Sequence, residues 1–235
     1  MMTAVHRYRR ARVAGAALWL ALGLVTPCSL AAAIASVAPL APSDAHAGFL
    51  VARQTFEAGR RGAAGAVLLA QEQFRGLLSL EPLNPLYLAY LGSTYTLQAR
   101  DSSLPWTRIR LVNQGLGFLD RALAIQRAGD AQAGAEMRNA QLETRLVAVA
   151  TFVALPDTLF HRLAAAKRTF QEAINTPGFA HSEANLRGHL YYEGALIARQ
   201  EHDIAAERSA LKMALATSAA DFSADEARRR LAQLP

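Results

Sequence analysis

The side chains best suited to catalysis or metal binding lie beyond residue 47. They are the histidines His161, His181, His189 and His202 and the carboxylates Glu193, Glu201 and Asp203. None of the histidines forms the i, i+4 pair with an acidic neighbour that a helical zinc site requires. The carboxylates would act as general acid and base only if the fold brought two of them into one pocket. We therefore predict no metal ligand, no cofactor and no catalytic residue.

The remaining chemical motifs are also absent from the sequence. There is no P-loop, no glycine-rich dinucleotide motif after a strand, and no Gly-x-Ser-x-Gly nucleophile turn. Cys28 is the only cysteine, so a chain cleaved after residue 47 has neither a disulfide nor a thiol nucleophile. An enzyme is the least favoured class of function.

Residues 100–111, RDSSLPWTRIRL, combine Trp106 with Arg108 and Arg110 between two segments that have helical periodicity. Tryptophan and arginine are enriched at protein-binding hot spots, and they also stack on and neutralise single-stranded nucleic acid. The formal net charge is +6, but four arginines lie in the first dozen residues and the rest of the chain is nearly balanced. Because it has no basic stripe, we predict no nucleic-acid partner.

The N-terminus has the three parts of a secretory signal. Basic residues precede an uncharged stretch at 13–43, its apolar core lies at 16–25, and Ala45-His46-Ala47 supplies small residues for cleavage. We expect the mature protein to begin near Gly48 and to be periplasmic or secreted. The alternative is an uncleaved segment 13–43 that anchors the chain in the inner membrane. This would be its only membrane contact.

From residue 48 onward the apolar residues recur at helical spacing, as at Leu88, Leu91 and Tyr95, without the alternation of a strand. Segments rich in Gly, Pro, Asp, Asn or Ser interrupt this pattern. They lie at 62–65, 81–85, 100–105, 128–134, 155–157, 175–181 and 217–223. The fold class is therefore all-α, with about eight helices.

Two consecutive segments carry a recognisable helix-pair pattern. Ala70-x3-Phe74 with Pro82 is followed by Leu88-x2-Leu91-Gly92-x2-Tyr95. This resembles the tetratricopeptide repeat (TPR), with Leu88 at the place of the family's tryptophan. Weaker second-helix patterns recur around Leu119, Phe170 and Leu211. The resemblance implies a right-handed solenoid of about four helical hairpins, in which Gly92 allows close helix approach and the partner is a protein or peptide.

The segment around Trp106 is longer than such a repeat needs. Leu104-Pro105-x-Thr107 and Leu155-Pro156-x-Thr158 occupy equivalent places, where each second helix begins. The interval from Phe74 to Leu119 exceeds the family's roughly 34 residues by about 11. We expect these roughly 11 additional residues to form the turn between the first and second helices of the hairpin that contains Trp106. There Trp106 is predicted to be buried against local apolar surface; the alternative is an exposed recognition loop.

The first helix of each hairpin would line the concave groove of such a solenoid. Residues about half a turn away from the packed positions are therefore groove candidates. They are Tyr90, Ser93, Leu97, His189, Tyr192, Glu193 and Leu196. For Tyr90 and Tyr192 the alternative is burial between repeats. Trp106, Arg108 and Arg110 are the loop candidates.

The domain prediction is a signal or anchor at 1–47, a repeat domain at 48–222 and a capping helix at 223–235. In the last segment Ser223 and Glu226 form a capping box. Its apolar residues Ala227, Leu231 and Leu234 cover the last hairpin, and its charged residues, Asp225, Glu226 and the arginines 228–230, face water.

Together these features predict a non-catalytic protein- or peptide-binding scaffold of the bacterial cell envelope. An accessory part of a transport or assembly machine would fit, on fold analogy alone. The alternative is a solute-binding helical-repeat protein that closes over a small molecule.

Overall fold

The computed structural model describes residues 42–129, 135–218 and 222–235, and within these ranges the chain consists of helices joined by short connections, with no strand. The predicted all-α class is confirmed. The helices are α1 (Pro42–Arg60), α2 (Ala66–Leu80), α3 (Pro85–Asp101), α4 (Pro105–Gly129), α5 (Ala135–Ala154), α6 (Asp157–Phe160), α7 (Leu163–Ile174), α8 (Ala184–Gln200), α9 (Ile204–Thr217) and α10 (Phe222–Gln233). A 3₁₀ turn, Phe179–His181, precedes α8.

Most of the predicted signal segment, residues 1–41, lies outside the described part of the chain. The proposed cleavage sequence Ala45-His46-Ala47 lies inside α1, where Ala45 is buried. Among the described helices, none combines the length and the apolar character needed to cross a membrane.

The predicted breaks coincide with the ends of helices, but two further breaks were missed. One lies at 201–203, where His202 adopts a left-handed φ of 59° and the Asp203 carboxylate accepts a hydrogen bond from the Ala206 N–H. The other separates α6 from α7 at His161, whose φ is 52°. These two breaks raise the number of described α-helices from the predicted eight to ten.

The helices pack as consecutive neighbours. Four pairs lie against each other, namely α1 with α2, α3 with α4, α5 with α7, and α8 with α9. Each pair also contacts the next pair, chiefly through α2 with α3, α3 with α5, and α5 with α8. The C-terminal helix α10 packs on α9 and α8.

Glycines allow the closest contact, between α3 and α4. A Cβ atom added to Gly92 would lie 2.6 Å from the Gly115 carbonyl oxygen, and one added to Gly115 would lie 2.5 Å from the Gly92 oxygen. The expectation that Gly92 permits close approach is confirmed. In α8, Gly194 plays a similar part, because a Cβ there would lie 2.6 Å from the Phe170 ring.

Helix α3 forms the centre of the largest hydrophobic core. Every residue from 86 to 95 is buried. The Tyr90 ring stacks on Phe74 of α2 at 5.0 Å and contacts Phe56 of α1 edge-on at 5.0 Å. Helix α3 begins after its N-cap residue Asn84, whose side chain accepts hydrogen bonds from the Leu86 and Tyr87 N–H groups.

The C-terminal helix covers the last pair as predicted, with one difference. Ala224 and Ala227 are buried, and Leu231 and Leu234 pack against the same cluster. The difference is Arg230, which was predicted to face water but forms two hydrogen bonds, of 2.6 and 3.1 Å, to the buried carboxylate of Glu207 in α9. The prediction missed this because Glu207 becomes buried only when α10 covers it.

Candidate functional site

Two of the carboxylates first considered for catalysis have structural partners. Glu201 pairs with Lys167 at 2.7 Å, and Asp203 caps α9. Across residues 42–129, 135–218 and 222–235, no three His, Cys, Asp or Glu side chains come close enough to hold a metal ion.

Two predicted groove residues do not line a groove. Tyr90 and Ser93 are buried, so their prediction as groove residues is wrong. The Tyr90 hydroxyl donates a 2.5 Å hydrogen bond to Glu143 of α5, and Thr151 of α5 donates to the Ser93 hydroxyl at 3.0 Å. The reason is that α5 packs directly on this face of α3. Leu97, one turn later, is half-buried.

The groove candidates on α8 keep partial exposure. His189, Tyr192, Glu193 and Leu196 are all half-buried. Tyr192 packs against the cluster formed with α10, where burial and then the nearby charge of Glu226 raise the pKa of its hydroxyl to about 12. The alternative that Tyr192 is packed between elements therefore describes it better than an open groove position.

Glu193 is the most perturbed acid in the described part of the chain. Burial raises the pKa of its carboxyl from 4.5 to about 7, and the charge of Arg60 at the end of α1 opposes that rise. No hydrogen bond or ion pair of this carboxyl occurs among the described residues. Glu193 is therefore a candidate ligand-binding group.

Helix α1 is linked to α5 and α3 by charged side chains. Arg53 contacts Glu143 at 3.3 Å, and Glu143 is the residue that also accepts the Tyr90 hydroxyl. Arg100 donates to the carbonyl oxygens of Gly59 and Arg60, each at 3.0 Å, and so satisfies the C-terminus of α1. These contacts tie α1, α3 and α5 together.

The predicted long turn around Trp106 does not exist. Helix α3 ends at Asp101 and α4 begins at Pro105, so only residues 102–104 connect them. The surplus residues lengthen α4, which has 25 residues. Pro105 occupies the first position of α4, as predicted. In the second Leu-Pro-x-Thr segment, Pro156 precedes the short helix α6 instead of a long second helix.

Trp106 lies on the first turn of α4 and is 69% exposed. The prediction that it is buried was therefore wrong, because the residues expected to form a folded turn are helical and point this ring away from the core. Arg108 has a structural role, since its guanidinium donates to the Ala99 and Arg100 carbonyl oxygens at 3.2 and 3.3 Å. Arg110 is exposed.

A cleft of about 480 Å³ lies at the start of α4, where Thr107, the residue after Trp106, lines it. One wall is the turn between α1 and α2, in which Gly62 and Gly65 adopt left-handed φ angles of 91° and 73°. The other walls are the end of α3 and the start of α4. The lining residues are 62–65, Val67, Leu68, Gln98, Asp101, Ser102, Thr107 and Leu111.

Exposed apolar side chains lie on the elements that form this cleft, and Leu68 is the one of them that lines it. Leu68 lines it and is 52% exposed, Leu104 in the connection is 46% exposed, and Ile109 of α4 is 52% exposed. With Trp106 they form what we call the Trp106 surface. Sequence reasoning identified Trp106 but missed Leu68, because the turn at 62–65 was seen only as a break between helices.

Comparison of the chain with protein-family models, with curated proteins and with solved structures found no match.

Proposed function

We propose that residues 48–222 form a TPR-like, right-handed array of four helical hairpins that binds a protein partner in the bacterial envelope without catalysis. Four successive helix pairs, each packed on the next, support the array. So does the small-residue contact of Gly92 with Gly115 at the position where the repeat pattern has glycine. The envelope location depends on the secretory pattern of residues 1–47.

The observation that carries a binding role is the Trp106 surface. Trp106 is held on a helix that is fixed to α3 through Arg108, yet most of its ring contacts solvent. Exposing a tryptophan together with Leu68, Leu104 and Ile109 leaves apolar area in water, where burial by a partner is favourable. A rigid aromatic side chain beside a cleft is typical of the centre of a protein interface.

The test is site-specific photo-crosslinking of the full chain in the cells that make it. A benzophenone amino acid replaces Trp106, and in a control it replaces Leu159, which is 68% exposed on α6. We expect one defined protein adduct from position 106 and not from position 159, identified by mass spectrometry. Absence of an adduct at 106, or the same adducts at both positions, would contradict a binding role for this surface.

A solute-binding role is the second candidate, and Glu193 favours it. A half-buried carboxyl without a described partner suits the cationic group of a small molecule. A thermal-shift screen with primary amines and guanidines tests this role. Stabilisation that disappears in Glu193→Gln would support it, whereas equal responses of the two proteins would exclude Glu193 as the ligand.

A further inference from the structure

We infer that the segment that docks on the Trp106 surface is acidic and amphipathic, with apolar side chains against Trp106 and carboxylates against neighbouring arginines. This inference rests on the proposed protein-binding function and adds the chemistry of the partner. Its evidence is the combination of exposed apolar area and unbalanced positive charge on one part of the molecule.

An exposed stripe runs along α4, the helix that also lines the cleft, and its apolar members are Trp106 and Ile109. Trp106, Ile109, Arg110 and Asn113 follow helical spacing along α4 and are all exposed. Thr107 and Leu111, on the adjoining side of the helix, line the cleft. A partner segment lying along α4 would therefore cover the stripe and place a side chain in the cleft.

The charge around this stripe is positive. Arg110 and Arg61, which directly precedes the glycine turn of the cleft, are exposed and make no ion pair within the described chain. Arg108 adds a third positive charge, because its described partners are uncharged carbonyl oxygens. Asp101 is the one carboxylate that lines the cleft, and Arg100 neutralises it at 2.7 Å.

Other nearby carboxylates do not reverse this balance. Glu57 is paired with Arg60 at 3.0 Å. Glu72, one helical turn beyond Leu68 on α2, is exposed and makes no ion pair within the described chain, so one unpaired carboxylate stands against the three arginines. Three arginines without a carboxylate partner favour carboxylates in the docking segment and disfavour lysine and arginine there. Burial of the apolar stripe supplies affinity, and the arginines select the sign of the partner's charge.

The experiment is selection of random displayed peptides on the immobilised full chain. We expect enriched peptides to combine aspartate or glutamate with leucine, isoleucine or an aromatic residue. Trp106→Ala should weaken the selected peptides by about thirty-fold, the loss typical of a hot-spot residue. Leu159→Ala, a matched exposed apolar residue, should leave the affinity unchanged. Both substitutions are at exposed positions, so the urea midpoint should stay the same.

Charge reversal gives the decisive comparison. Arg110→Glu should weaken the acidic peptides about tenfold and, in a repeated selection, enrich basic ones. The control is Arg168→Glu, at an exposed position on α7, which should change neither result. Binding of the selected peptides should weaken as the ionic strength rises from about 0.05 to about 0.5 M.

The outcomes separate this inference from the proposed function. Enriched peptides that need Trp106 but lack acidic residues would overturn the inference and keep the binding function. Peptides that bind Trp106→Ala as tightly as the unmodified chain would place the docking site elsewhere and also overturn it. If selection enriches no peptide, the inference of a docking segment fails, while the crosslinking at position 106 still decides the proposed protein-binding function.

Discussion

The contact between α3 and α4 gives the sharpest test of the packing, through replacement of Gly92 by alanine. The added Cβ would lie 2.6 Å from the Gly115 carbonyl oxygen and 2.9 Å from Leu119 Cγ. A backbone oxygen cannot rotate away as a flexible side chain can, so the two helices must move apart. Overpacking of this kind costs about 1–3 kcal/mol, and the backbone clash places Gly92→Ala toward the upper end.

Helix propensity acts in the opposite direction. Alanine is favoured over glycine in a helix interior by about 1 kcal/mol, so the net loss for Gly92→Ala should be about 1–2 kcal/mol. Gly117, in the same long helix α4, is the matched control because a Cβ there meets nothing within 4 Å. Gly117→Ala should gain up to about 1 kcal/mol.

The assay is thermal unfolding of both variants, followed by circular dichroism at the helix band. For a chain of this size the two variants should differ in midpoint by roughly 5–10 °C, with Gly117→Ala the more stable. Equal midpoints would refute the close α3–α4 contact. They would also remove one of the supports for a TPR-like arrangement.

Two further substitutions test charged groups. Glu193→Gln should reduce the pH dependence of stability. In the folded chain the Glu193 carboxyl keeps its proton up to about pH 7, whereas in the unfolded chain it releases the proton near pH 4.5. The unmodified protein therefore loses stability as the pH rises through that window. Urea midpoints at about pH 4 and about pH 8 measure this, and an unchanged difference between them would contradict the raised pKa. Arg230→Ala should destabilise the chain more than Arg228→Ala, because it leaves the carboxylate of the buried Glu207 without its ion pair, whereas Arg228→Ala breaks an exposed pair and should cost under about 1 kcal/mol. Equal losses in urea unfolding would show that Glu207 does not need Arg230.

The helix boundaries were predictable where a residue type makes the turn. Gly62 and Gly65 adopt positive φ, and Asn84 with Pro85 starts α3. The missed breaks at His161 and His202 have a different origin, because histidine adopts positive φ more often than most residues but far less readily than glycine, so its presence alone is a weak signal. In both turns an aspartate carboxylate accepts a backbone N–H, Asp157 from Leu163 and Asp203 from Ala206, so the usable signal was the aspartate rather than the histidine.

Periodicity predicted which face of α3 meets its own hairpin partner, but not whether another helix covers the opposite face. That depends on the angle between successive pairs, which no local pattern encodes. A usable signal was nevertheless present. Residues 86–95 are apolar or small all around the helix, and a helix of that kind is typically enclosed. Burial of Tyr90 and Ser93 follows from this composition better than from repeat position.

The exposure of Trp106 also follows from periodicity once the start of α4 is fixed. Repeat spacing showed that residues were in surplus but could not show whether they form a loop or lengthen a helix. If α4 begins at Pro105, at about 100° per residue Trp106 lies opposite Gly115 and far from Leu119, both of which are buried. No local rotation can then bring the ring into the core, because Arg108 fixes the first turns of α4 on the end of α3. Within the described part of the chain the fold therefore holds this tryptophan in solvent and leaves its ring available to a partner.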